Sequence, residues 1–178
     1  DGTLTDVTLG DQVTTLSAYM FAKAGMPTVD LNKVTTIQKG VFCNSKITSI
    51  AIPNTVETIG MDAFYGCELL HTVNIQDGTS TLTIGSQENF WSYGPFYDSP
   101  LAKVHIGRDI RYYVSPNYWE LGLLATKRYN AVDEVTVTLS NNVKTLHGYM
   151  FSNLKLKSIT IPASVTYIRD NAFTDCDY

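Results

Sequence analysis

A segment of roughly 22 residues recurs along this chain, and a tandem repeat leaves a polypeptide few ways to fold. Ile47–Cys67 reads ITSIAIPNTVETIGMDAFYGC, Leu156–Cys176 reads LKSITIPASVTYIRDNAFTDC, and Val7–Phe21 reads VTLGDQVTTLSAYMF. Their common skeleton is L-x-x-I-x-I-P-x-x-V-x-x-I, three variable residues, then Ala-Phe-x-x-Cys. Weaker copies open at Val29-Asp30-Leu31, Val73-Asn74-Ile75, Val104-His105-Ile106 and Val137-Thr138-Leu139. A phenylalanine column runs Phe21, Phe42, Phe64, Phe96, Phe151 and Phe173, with one copy lacking it. Its regular spacings are 21 or 22 residues, and the gaps of 32 and 55 mark copies that carry insertions.

Each part of the skeleton has a physical reading. In Ile50-Ala51-Ile52 the period is 2, so both isoleucines face one side and Ala51 the other. Pro53 and Pro162 have no amide hydrogen and end the extended run. Val56 and Ile59 turn inward as the chain bends back, and Phe64 fills the interior beside small Ala63. One such coil cannot bury its apolar face alone, whereas stacked copies share theirs. The pattern predicts a single domain over 1–178, a right-handed repeat solenoid of about seven coils. Parallel strands are expected on one face, with short strands, turns, 3-10 turns or short helices on the other. Aromatic-rich insertions are expected at 79–95 and 112–130.

Composition excludes several function classes. Seventeen acidic and 13 basic side chains give a net charge of −4, and Lys127-Arg128 is the only adjacent basic pair. A nucleic-acid partner is therefore not expected. No apolar run approaches the length of a bilayer span, so no membrane insertion is expected in this segment. Three cysteines without a CxxC spacing predict neither a disulfide framework nor a zinc site. The chain opens on polar Asp1-Gly2-Thr3 and stops two residues after Cys176, in mid-repeat. That suggests a fragment of a longer array or a truncated last coil.

The motif L-x-x-I-x-I-P-x-x-V-x-x-I-(x)3-A-F-x-x-C resembles the BspA-type leucine-rich repeat of bacterial surface antigens. The match is nearly complete at 47–67 and 156–176, good at 7–21 and 132–151, and partial between 69 and 130. The resemblance implies a leucine-rich-repeat superhelix and a non-enzymatic module, secreted or cell-surface, for recognition or adhesion. Its implied partner is a protein, such as a host matrix component. A glycan-binding protein and a ligand-free structural spacer are the alternatives.

Candidate binding residues fall in two groups. The first lies on outward ladders of the strand face: Asn74, Lys103, His105 and Thr138. Curved repeat arrays bind on such surfaces, although Thr and Ser also suit a merely solvated strand. The second group comes from residues 90–129, which hold ten of the twenty aromatics. Trp91, Tyr93, Tyr112, Tyr113 and Trp119 could form a platform for a sugar ring or a partner, or could simply pack on each other. Ser115-Pro116 could start a short helix there. Cys67 and Cys176 share a column and are expected to be buried free thiols, with Cys43 partly exposed. No cofactor, metal or catalytic residue is expected. A hydrolase would need a His within reach of a Ser or Cys and a carboxylate, and none is anticipated.

Overall fold

The alternation of inward aliphatic and outward polar residues becomes two parallel sheets that run along a stack of coils. The computed structural model describes residues 3–85, 94–112, 122–124, 134–156 and 158–176. Eleven short strands occur there: β1 Thr15–Leu16, β2 Thr36–Ile37, β3 Ser49–Ile52, β4 Thr58–Ile59, β5 Thr72–Ile75 and β6 Leu82–Ile84. They continue with β7 Lys103–Ile106, β8 Ile110–Tyr112, β9 Thr136–Leu139, β10 Thr145–Leu146 and β11 Tyr167–Ile168. Among the described residues there is no helix.

One sheet has the order β3-β5-β7-β9, every pair parallel and in register. Ile50, Val73, Val104 and Val137 form one buried row, and Ile52 and Ile75 begin a second with Ile106. The other sheet, β1-β2-β4-β6-β8, is built from the short step that follows each inward triplet, such as Thr58-Ile59 after Ile50-Ala51-Ile52. It resumes as the pair β10-β11. Between β8 and β10 the ladder is bridged by a side chain: Asp109 Oδ1 accepts the amides of Lys144 and Thr145 at 2.7 and 3.0 Å.

Three expected triplets differ from this scheme. Val7–Leu9, Val29–Leu31 and Ile159–Ile161 are not strands, because a strand requires ladder bonds to a neighbour and not only alternation. Next to β3, the cross-coil bonding on this side ends with the amide of Thr48 donating to Pro27. The stretch 79–95, expected as an insertion, contains β6, which pairs with β4. Tyr112, the expected start of the second insertion, closes β8. The helix expected from Ser115-Pro116 lies outside the described residues.

The third line of contact is the phenylalanine column. Phe21, Phe42, Phe64 and Phe96 stack in sequence with ring centroids 5.7, 5.2 and 5.2 Å apart, and Phe151 and Phe173 are 5.1 Å apart. The copy without Phe uses leucine. An added Cβ at Gly122 would lie 2.3 Å from the Tyr149 carbonyl, and one at Gly94 would lie 3.1 Å from the Gly122 carbonyl. Gly122 therefore sits between the coils of Phe96 and Phe151, which places fully buried Leu123 and Leu124 in the Ala-Phe columns. Five of the Phe turns are flanked by left-handed residues four apart, as in Gly40 and Asn44, Asp62 and Gly66, or Asn171 and Asp175. Gly, Asn and Asp tolerate that conformation best.

The cysteine column is a hydrogen-bonding column, not only a small apolar one. Cys67 Sγ donates to the Phe42 carbonyl at 3.0 Å and Cys176 Sγ to the Phe151 carbonyl at 3.0 Å, each one coil back. Ser99 Oγ does the same for Phe64 at 2.8 Å. Cys67 is fully buried, whereas Cys176 is half-buried. Burial pushes the Cys67 thiol up to about 11, so it is protonated and able to donate at neutral pH. Cys67→Ser keeps the donor and is expected within about 1 kcal/mol of wild type, while Cys67→Ala should cost about 1–3 kcal/mol. Urea unfolding of the two variants checks this, and equal losses would refute the column's role.

Candidate functional site

Parallel registry brings three of the sequence-expected residues side by side. Asn74, His105 and Thr138 are Cα partners across β5, β7 and β9, in line with Ala51 of β3. Lys103 belongs to the next outward ladder, between Thr72 and Thr136. Asn74, Lys103 and Thr138 are exposed and His105 is half-buried. All four therefore share one solvent-facing sheet surface, held rigid by buried valines and isoleucines underneath.

His105 is fixed from both sides. Its Nδ1 and the Thr138 hydroxyl are 2.9 Å apart, and its Nε2 lies 2.9 Å from Asp77 Oδ1. Asp77 follows β5 and passes close over the coil of β7. A Cβ on Gly107 would come within 2.4 Å of the Asp77 amide, so only glycine lets the two backbones approach. Asp77 escaped the sequence reading because it is 28 residues from His105 and carries no local motif. Its pair with His105 is exposed, so His105→Ala should cost under about 1 kcal/mol of stability.

This is a carboxylate–imidazole–hydroxyl line, though with threonine where a Ser or Cys was sought. Backbone N–H groups in a sheet point along the plane toward neighbouring strands. Chemically, the line offers a fixed donor and acceptor array. A shallow cleft of about 370 Å³ lies beside β3, lined in part by Asp30, Asn32, Ala51, Asn54 and Gln76.

Of the aromatic group, Tyr112 alone is among the described residues, and it does not lie on this face. Tyr112 lies on the opposite sheet, is 5% exposed, and is held in its neutral form by burial. As a core residue it presents no ring to a ligand, a correction to the expectation for that position. The reason is period: in Ile110-Arg111-Tyr112 only Arg111 points out. Trp91, Tyr93, Tyr113 and Trp119 lie outside the described residues.

A second residue that sequence reasoning missed is Arg108, which is fully buried. Its guanidinium donates to the carbonyls of Pro53, Asn54 and Val56 at 3.0, 3.3 and 2.7 Å and to Ser80 Oγ at 3.0 Å. Burial lowers its pKa from the ordinary arginine value. It clamps the turn after β3 from two coils away and contributes to the scaffold rather than to the surface. Among the described residues no three His, Cys, Asp or Glu side chains are placed to hold a metal ion. No helix of the described residues is long and apolar enough to cross a membrane.

No curated protein matches the chain. The family profile described as a BspA type leucine rich repeat region matches in six copies, over residues 1–113 and 129–178. Leucine-rich-repeat domains generally mediate protein interactions, as binding scaffolds. With parallel sheets stacked coil on coil and a profile match over most of its length, the chain belongs to the BspA-type leucine-rich-repeat family.

Proposed function

We propose that the chain is a non-enzymatic recognition or adhesion module, extracellular or displayed on the cell surface, that binds a protein through the outward face of the β3-β5-β7-β9 sheet. The observation that carries this reading is the row Asn74-His105-Thr138, aligned across three strands and pre-oriented by Asp77. Side chains already held in one rotamer lose little entropy on binding. Lys103 adds an exposed positive charge on the neighbouring ladder. The surface suits a partner segment that presents carboxylates and backbone carbonyls, such as an acidic stretch of a matrix protein. The Thr138–His105–Asp77 line orients the imidazole on this face.

The test is an array of matrix proteins and glycans probed with wild type, Lys103→Ala, His105→Ala, Trp91→Ala and Trp119→Ala. The two face variants are expected to lose binding by about 1–2 kcal/mol each, or roughly fivefold to thirtyfold. Both tryptophan variants are expected to bind as wild type. Loss in the tryptophan variants alone would transfer the site to the aromatic segments and favour a glycan. Binding unaffected by all four substitutions would overturn the sheet-face reading, and no ligand at all would leave the spacer.

A further inference from the structure

Both ring nitrogens of His105 are engaged, and one of the two partners fixes where the hydrogen sits. Asp77 Oδ1, 2.9 Å from Nε2, belongs to a carboxylate, which accepts hydrogen bonds and donates none. Nε2 therefore carries a hydrogen. In the neutral ring Nδ1 is then bare, and the Thr138 hydroxyl 2.9 Å away donates to it. That hydroxyl hydrogen is spent, so Thr138 turns only lone pairs to solvent. Asp77 is kept in place by the backbone beside it: the Gly78 amide donates to the Gly107 carbonyl at 3.2 Å, and the Ser140 hydroxyl donates to the same carbonyl at 2.8 Å.

A proton taken from solvent at Nδ1 inverts this arrangement. Nδ1–H then donates to the Thr138 oxygen, the hydroxyl hydrogen is released to point outward, and the imidazolium balances the Asp77 charge. The neighbouring strands bring uncharged groups to the ring, Thr72 and Asn74 from β5 and Thr136 and Thr138 from β9. Among the described residues, the charges that these elements place around it are those of Asp77 and of Lys103, two residues back on β7. With a neutral ring the surface is balanced in charge, and a carboxylate approaching it meets the Asp77 carboxylate and the Thr138 lone pairs. With a protonated ring it is net positive and offers the Thr138 hydroxyl, the Asn74 amide and the Lys103 ammonium as donors.

We infer that the β3-β5-β7-β9 face takes a carboxylate-bearing segment of a partner protein when His105 is protonated and turns it away when the ring is neutral. This rests on the sheet-face reading above and adds the state in which that face binds. Histidine is the side chain that ordinarily changes charge between about pH 5 and 8, so capture strengthens on acidification. By linkage, a bound carboxylate holds the proton on the ring and raises the pH at which it leaves.

Two measurements on the intact chain test this. Ring-nitrogen NMR, with the His105→Gln spectrum to identify the signal, is expected to show a hydrogen on Nε2 and none on Nδ1 at about pH 8. The opposite tautomer would overturn the inference. An octa-aspartate peptide, titrated calorimetrically at low salt, is expected to bind wild type at least about tenfold more tightly at about pH 5.5 than at about pH 8. His105→Gln, which keeps His71 and His147, should bind weakly with little pH dependence, and Thr138→Val should keep only part of the wild-type ratio. Circular dichroism verifies that both variants fold. Equal wild-type affinity at the two pH values, or a His105→Gln ratio as large as that of wild type, would sink the inference and leave the sheet face as a binding surface. A peptide that binds at neither pH would sink both.

Discussion

Arg108→Met should lower the unfolding free energy by about 3–5 kcal/mol, one of the two largest losses expected from any single substitution in this chain. The wild-type guanidinium serves three carbonyls of the turn after β3, and its stem crosses the coil between them and β7. Methionine fills much of the same volume, which separates hydrogen bonding from packing. The Pro53, Asn54 and Val56 carbonyls would then lose their charged donor inside the stack, and each orphaned buried acceptor costs about 1–3 kcal/mol before water relieves part of it. Ser80→Ala removes a single neutral acceptor from the same cluster and should cost only about 1 kcal/mol. Denaturant unfolding of Arg108→Met, Arg108→Lys and Ser80→Ala decides the matter. Losses under about 1 kcal/mol for the methionine variant would mean that the turn holds itself together without its clamp.

Phe64→Ala is expected to cost about 3–5 kcal/mol, and Phe173→Ala well under half as much. Phe64 is fully buried between Phe42 and Phe96, with ring centroids 5.2 Å away on both sides. Its removal opens a cavity that backbone on either side cannot close, because the flanking left-handed turns and the cross-coil amide bonds hold the coils apart. Among the described residues Phe173 has a ring neighbour on one side only and is half-buried, so less is lost. The pair tests the repeat physics directly: in a nearest-neighbour array the cost of a deletion scales with the number of interfaces that it damages. Equal losses at the two positions would show that the column does not act through stacking.

The part of the fold legible in the sequence was the part written locally. Ile50 and Ile52 announce a strand by alternation, Pro53 ends it, and Val56, Ile59 and Phe64 recur at fixed offsets, each buried as read. What failed was also instructive. Leu124 was invisible as a member of the aromatic column, because its coil is lengthened and nothing local marks the register. Only the close backbone approach at Gly122 reveals it. Cys67 read as a small apolar filler, since the carbonyl that it serves belongs to Phe42, 25 residues away. The candidate surface was half legible: Asn74, His105 and Thr138 could be aligned from the repeat, yet Asp77 could not.

The sequence by itself determined that this polypeptide coils and stacks, because side-chain period and proline placement act within a few residues. Stacking decided the rest. Which carbonyl Arg108 clamps, which carboxylate orients His105, and why Tyr112 is core all depend on groups brought together from distant positions. Their separations follow from the lengths of the intervening coils, and those lengths vary.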